Sequence, residues 1–181
     1  SLVAVLTALV SCSDKSEVKL FPASDFEAVV DGKEVSLYTL KNADLTMQVT
    51  NFGARVVSLW TPDKQGNYED IVLGYDNIDK YINNPGERFL GAVVGPYANR
   101  IAAGTYTIGK ETYNFPQNNN GQTLHGGLKG LDMVVWDVFA ADDSTLVLTY
   151  THPDGQEGMP GNVEIFMTYT LTSDNEFKVE Y

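Results

Sequence analysis

The fold is indicated most directly by residues 145–181, which read TLVLTYTHPDGQEGMPGNVEIFMTYTLTSDNEFKVEY. Apolar or β-branched residues recur in a strand-like pattern over three runs, at Thr145–Thr151, Val163–Leu171 and Phe177–Tyr181. A period of two is typical of a strand that buries one of its faces. The Gly- and Pro-rich segment at 152–161 and the turn Ser173-Asp174-Asn175 separate the runs. The stretch therefore predicts three consecutive β-strands.

Similar runs recur upstream of this stretch, with turn residues between them. A short turn at Ile78–Ile82 is the only helical segment that we expect. Many short strands with frequent turns predict an all-β sandwich or barrel. The remaining predicted strands are Ser36–Leu40, Leu45–Thr50, Arg55–Trp60, Asp70–Leu73, Thr105–Ile108, Thr112–Phe115 and Trp136–Ala140.

The composition limits the possible partners. The chain has 181 residues, of which 43% are hydrophobic and 20% charged, so we expect one globular domain. A net charge of −12 repels phosphate backbones, which makes nucleic acid an unsuitable partner. A single cysteine excludes an intramolecular disulfide, and two histidines argue against a multi-histidine metal cage. Any chemistry is therefore expected from carboxylate, His and Arg side chains.

The first residues have the features of an export signal. Leu2–Val10 is an uncharged apolar run, too short to span a bilayer. It leads into Leu9-Val10-Ser11-Cys12, which resembles a bacterial lipobox with a lipidated cysteine. We expect residues 1–12 to be a signal peptide ending at Cys12 and residues 13–25 to be a tether. The protein would then be an exported lipoprotein, anchored to a membrane in the periplasm or at the cell surface. The alternative is a buried strand or helix with an incidental cysteine.

The other end of the chain suggests a fragment. Residues 177–181 alternate as a strand and then stop, whereas a domain rarely ends in the middle of a strand. We therefore expect a fold that is incomplete at the C-terminus.

The candidate functional residues lie in three segments rich in Gly, Asn and Pro, at 83–100, 116–130 and 152–161. Polar loops on a rigid sheet often carry binding residues. Arg100 offers a planar fork of donors and Asn99 a donor and acceptor pair, both suited to sugar hydroxyls. His125 lies beside glycines, where backbone can approach a ligand and an imidazole can titrate near neutral pH. Taken singly, such residues are more often structural or merely exposed.

Five segments resemble the aldose 1-epimerase family in their order and residues, over about residues 26–181. The resemblance implies that 26–181 is the N-terminal part of a large antiparallel β-sandwich of the galactose mutarotase type. It also implies interconversion of the α and β anomers of a free aldohexose, without a metal or cofactor. The segments are Asn51–Ala54, Asp70–Gly74, Gly95–Ile101, Leu124–Gly127 with Trp136 after it, and Pro153–Gly161.

The resemblance also assigns roles. In the family a glutamate is the base and a histidine the acid, while a second histidine, an arginine and an aspartate hold the sugar. His125 matches the histidine near the reacting end of the sugar, Arg100 matches the arginine, and Asn99 accompanies it. The acid histidine, the aspartate and the glutamate are expected beyond Tyr181. Residues 1–181 alone are therefore expected to be inactive.

Three other polar residues are expected to have minor roles. We interpret His152 as a loop residue, and Asp154 and Glu157 as makers of loop hydrogen bonds. A non-catalytic carbohydrate-binding lipoprotein is the main alternative function. A second alternative, an epimerase for sugar phosphates, would need a cluster of basic residues to hold the phosphate. A third is a purely structural envelope lipoprotein, in which the polar loops would have no binding role.

Overall fold

The computed structural model describes residues 16–83 and 86–181. Cys12, the expected signal peptide at 1–12 and the first part of the tether lie outside the described residues. Within them, no helix is long and apolar enough to cross a membrane.

The first half of the chain forms a hairpin and a four-stranded antiparallel sheet. The hairpin pairs β1 (Ala28–Val30) with β2 (Lys33–Val35). The sheet has strands in sequential order, and α1 (Ile78–Ile82) follows it. Its strands are β3 (Leu37–Lys41), β4 (Thr46–Thr50), β5 (Arg55–Pro62) and β6 (Tyr68–Asp70).

The second half repeats this plan after two small antiparallel pairs. In the first pair, β7 (Arg100–Ile101) lies beside β10 (Thr123–Leu124), and between them in sequence β8 (Thr105–Ile108) pairs with β9 (Glu111–Asn114). The second four-stranded sheet is again sequential and antiparallel. Its strands are β11 (Asp137–Ala141), β12 (Thr145–His152), β13 (Val163–Leu171) and β14 (Phe177–Glu180).

The two four-stranded sheets share one hydrophobic core. Side chains of β3, β4 and β5 cluster with side chains of β12 and β13. Trp136, at the start of the second sheet, is fully buried in this cluster, and its Nε1 donates to the carbonyl of Leu131 at 3.1 Å. Burial of the apolar faces of both sheets stabilises the sandwich. The prediction of an all-β antiparallel sandwich is therefore confirmed.

Most predicted strands coincide with observed ones within a residue or two, and the helical turn at Ile78–Ile82 is confirmed. The exception is Asp70–Leu73, which leaves the sheet after Asp70. The Asp70 carboxylate accepts hydrogen bonds from the backbone N–H groups of Leu59 and Val72, and this local capping turns the chain away. The short strands β1, β2, β7 and β10 were not predicted, because two or three residues show no periodicity.

Candidate active site

The candidate residues meet at the short β7–β10 ladder. In its register Arg100 lies opposite Leu124, so Asn99 and His125 occupy the adjoining positions at one end of the ladder. Arg100 and Asn99 are exposed and His125 is half-buried. The tertiary structure therefore brings together the three residues that the sequence singled out, from segments 26 residues apart.

His125 is held by the backbone of Asn99 through two hydrogen bonds. The His125 N–H donates to the Asn99 carbonyl at 2.9 Å, and the Asn99 N–H donates to the His125 Nδ1 at 2.9 Å. The second bond requires an unprotonated Nδ1, so the neutral imidazole carries its proton on Nε2. His125 can therefore donate a hydrogen bond from Nε2 to a ligand oxygen.

The loop after His125 depends on close backbone approach. Gly126 has φ +89°, and a Cβ there would overlap the carbonyl oxygen of Gly95. The side chain of Asn118 spans the same loop, since its amide donates to the carbonyls of Leu124 and Gly127 and its oxygen accepts from the Leu124 N–H. The backbone is thus restrained both before and after His125, and this restrains the position of the imidazole.

Arg100 is oriented by neighbouring amides. Its Nε and Nη2 both donate to the Asn119 side-chain oxygen, at 3.2 and 3.1 Å, and its Nη1 donates to the Asn99 side-chain oxygen at 3.2 Å. These partners are neutral, so the guanidinium keeps its charge uncompensated by them. An oriented, exposed guanidinium can bind ligand hydroxyls with little further ordering.

The environment of His125 favours the neutral imidazole. Partial burial lowers the pKa of His125, and the positive charges of Arg100 and Arg88 lower it further, against a raising effect of Asp132. The Asn99 N–H also opposes protonation, because a proton on Nδ1 would face that donor. At neutral pH the imidazole is therefore uncharged, as the hydrogen bond from the Asn99 N–H to Nδ1 requires.

The sequence reasoning missed a charged cluster beside His125. Asp132 is fully buried and pairs with Arg88, and the buried Arg55 also donates to its backbone carbonyl at 2.9 Å. The ring of Phe89 packs against the imidazole with centroids 4.7 Å apart. A lone acidic residue within the apolar segment 131–136 was the available signal, since buried carboxylates need a cationic partner.

The loop at 153–161 is joined to the His125 loop by a hydrogen bond from Leu128 to Glu157, and its Met159 packs with Ile101 of β7. Glu157 accepts from the Leu128 N–H at 2.6 Å, and Asp154 accepts from the Gly161 N–H at 2.6 Å, so the prediction of loop hydrogen bonding is confirmed for both. The interpretation of His152 as a loop residue is wrong. It is the last residue of β12 and 1% exposed, because pairing with Val163 carries the strand to this point.

No group of three or more His, Cys, Asp or Glu side chains within residues 16–83 and 86–181 is arranged to hold a metal ion. The chemistry available from the described residues is that of a neutral imidazole donor, an arginine fork and an amide.

Comparison with known proteins identifies the family. Residues 36–181 match the family model described as aldose 1-epimerase. The chain is 36% identical over 140 residues to the galactose mutarotase of Mus musculus, covering 77% of this chain and 40% of that protein. It is 33% identical over 152 residues to the aldose 1-epimerase of Escherichia coli K12, covering 83% of this chain and 43% of that protein.

Solved structures agree with this relationship. An aldose epimerase homologue from C. elegans superimposes with a TM-score of 0.76 at 31% identity, over 80% of this chain and 44% of that one. A galactose 1-epimerase from Lactobacillus acidophilus does so with a TM-score of 0.72 at 31% identity, over 84% and 45%. The chain thus spans less than half the length of these relatives. On the family match over 36–181, the chain belongs to the aldose 1-epimerase family.

Proposed function

We propose that the protein to which this chain belongs is an aldose 1-epimerase that interconverts the α and β anomers of free aldohexoses such as glucose or galactose. The observation that carries the proposal is the pairing of Asn99 with His125. It holds the imidazole with Nε2 as a donor next to the Arg100 guanidinium. Family membership supports the same activity.

Each residue has a role in this reaction. Mutarotation removes a proton from the anomeric hydroxyl and protonates the ring oxygen, so that the ring opens, the aldehyde rotates and the ring closes. His125 donates from Nε2 to a sugar oxygen at the reacting end, where negative charge develops. Arg100 binds sugar hydroxyls through its N–H groups, and the Asn99 side chain orients Arg100. No cofactor is required for this chemistry.

The remaining groups come from outside the described residues. Asp132 is paired with Arg88, and Glu157 accepts from the Leu128 N–H, which leaves His125 as the titratable group available at this part of the site. The chain spans 40% of the mouse protein. The acid histidine and base glutamate that the family resemblance implies are not among the groups placed at this site. We propose that residues 1–181 by themselves are inactive.

The proposal also includes the cellular location. The apolar run before Cys12 supports export and lipidation at that cysteine, with residues 13–25 as a tether. Metabolic labelling with a radioactive fatty acid tests this, because Cys12→Ala would abolish the label if Cys12 is the modified residue. Label retained in Cys12→Ala would reject the anchor.

The activity is tested in the full-length natural protein by following the optical rotation of α-glucose and α-galactose. His125→Ala should reduce kcat by roughly 10²- to 10³-fold, the range typical of losing one hydrogen-bond donor to a developing negative charge. Arg100→Ala should mainly raise KM. Lys110→Ala, which removes an exposed cation from the turn between β8 and β9, should change neither.

A folded wild-type protein that binds sugar without accelerating mutarotation would reject the enzyme and favour a carbohydrate-binding lipoprotein. A folded protein that neither binds nor converts sugar would leave only a structural role.

A further inference from the structure

A bidentate ion pair between Arg88 and Asp132 contacts the loop that carries His125. Arg88 Nε contacts Asp132 Oδ2 at 2.6 Å, and Arg88 Nη2 contacts Asp132 Oδ1 at 3.0 Å. The Asp132 side chain is 0% exposed and the Arg88 side chain 21% exposed. Two parallel charge-assisted hydrogen bonds fix the plane of a guanidinium, and partial burial limits their screening by solvent. Arg88 is therefore held in one orientation.

The same guanidinium contacts the backbone of the His125 loop. Arg88 Nη2 donates to the carbonyl of Leu128 at 3.0 Å. The N–H of Leu128 is bound on its other side by Glu157. The peptide groups flanking Leu128, three residues after His125, are thus fixed from both directions.

The residue after Arg88 contacts the imidazole itself. The Phe89 and His125 rings meet edge to face, with centroids 4.7 Å apart and planes inclined at 65°. The Arg88 Cζ lies 5.0 Å from the centroid of the Phe89 ring. A cation at this distance is attracted to the ring face. Arg88 therefore restrains the ring against which His125 rests.

We propose that Arg88 is a positioning residue for His125: it uses the buried Asp132 carboxylate as an anchor to fix the Leu128 carbonyl and the Phe89 ring that packs against the imidazole. The proposal rests on the proposed function, since it assigns His125 to the reacting end of the sugar. Asn99 determines the tautomer of the His125 imidazole, and Arg88 restrains the position of that ring.

The charges around His125 supply a second readout of Arg88, which a neutral and a charged replacement should affect differently. Asp132 raises the pKa of His125, while Arg88 and Arg100 lower it. Replacing Arg88 with a neutral residue removes one lowering charge and leaves the Asp132 carboxylate less compensated. The His125 titration should therefore move to higher pH. Arg55 Nη2 stays 3.8 Å from Asp132 Oδ2, so the buried carboxylate keeps one cationic neighbour.

The experiment compares wild type, Arg88→Met and Arg88→Lys in the full-length protein. The His125 imidazole is titrated by NMR, with its signal identified by its loss in His125→Gln, and mutarotation is followed in parallel. Arg88→Met should move the midpoint to higher pH and lower kcat about 10-fold with little change in KM, as expected for a misplaced group. Arg88→Lys should keep the wild-type midpoint and lower kcat about 3-fold, because lysine keeps the charge but loses the fork.

Lys33→Met is the matched control. It breaks an exposed ion pair with Asp137, in which the side chains are 44% and 62% exposed, and it should leave the midpoint and kcat unchanged.

A wild-type midpoint and wild-type kcat per folded molecule in Arg88→Met would overturn the proposal and leave Arg88 a structural residue. If Arg88→Met does not fold, Arg88→Lys decides: lower kcat at an unchanged melting temperature supports positioning, and wild-type kcat overturns it. The NMR titration needs no turnover. An inactive wild type would therefore reject the proposed function while the titration still tests whether Arg88 acts on His125.

Discussion

At the scale of single residues, two residues of the site have backbone conformations that residues other than glycine rarely adopt. Asn99 and His125 both have positive φ, at 68° and 51°. For residues other than glycine such conformations cost about 1–3 kcal/mol and persist where surrounding contacts enforce them. Here the two residues enforce each other, because each supplies a backbone partner to the other. The backbone strain at Asn99 and His125 is thus part of the arrangement that leaves the His125 Nε2 available to a ligand.

Gly126 provides the sharpest residue-scale test of this arrangement. Gly126→Ala should destabilise the fold by roughly 2 kcal/mol or more and reduce mutarotation, because the new Cβ would overlap the Gly95 carbonyl and displace His125. Gly155→Ala is the matched control, since Gly155 has a similar φ of +80° but a Cβ added there would meet no heavy atom within 4 Å. Urea unfolding and polarimetry give the two measurements.

The two glycine variants separate conformational strain from steric overlap. Equal losses of stability and activity in both would mean that positive φ alone matters. That result would contradict the close approach of the 95 and 126 backbones as the feature that places His125.

At the scale of secondary structure elements, a buried hydrogen bond links β13 to the residue that precedes β5. The Tyr169 hydroxyl, on β13, donates to the carbonyl of Ala54 at 2.7 Å, immediately before β5 begins. Tyr169 is 3% exposed, and burial raises its pKa well above the usual range. The bond therefore helps to fix the relative position of β5 and β13, whose apolar side chains share one cluster.

Tyr169→Phe should lower the free energy of unfolding by about 1–3 kcal/mol, because a buried carbonyl loses its donor while the apolar packing stays. Tyr113→Phe, on the two-stranded β8–β9 sheet, should change it by about 0.5 kcal/mol or less. Chemical denaturation of both variants measures the difference. Equal stability of Tyr169→Phe and wild type would show that this bond adds nothing to the apolar contact between the sheets.

At the scale of the whole molecule, stability should depend on pH through a buried histidine. His152 is 1% exposed, and its Nε2 has no hydrogen-bond partner among the described residues. Burial lowers the pKa of His152 below its ordinary 6.5, against a smaller raising effect of Glu157. As the pH falls, His152 is therefore protonated at a higher pH in the unfolded chain than in the folded protein.

The free energy of unfolding should accordingly be highest above pH 6.5 and should decrease as the pH falls through that value. His152→Leu should reduce this decrease, whereas His125→Gln should reduce it less, because His125 is only half-buried. Urea unfolding at about pH 8 and about pH 5 measures the effect. The same pH dependence in His152→Leu and wild type would identify another group as its source.

The strands and the candidate members of the site could be predicted from the sequence. Strand periodicity and turn residues are local, so the predicted bounds of β8 and β13 agree with the observed ones residue for residue. Those of Asp70–Leu73 do not, because one side chain caps the backbone there and ends the strand. His125, Arg100 and Asn99 could be chosen as candidates because their types suit a sugar and their segments follow the order of a family.

How these residues can act depends on the tertiary structure. The tautomer of His125 depends on a backbone group 26 residues away, and the ion pair of Arg88 with Asp132 joins residues 44 apart. His152 has the sequence context of a loop residue, yet strand pairing buries it. Hydrogen bonding and burial depend on which distant segments come into contact. The local pattern of residues predicts secondary structure, but it does not predict those long-range contacts.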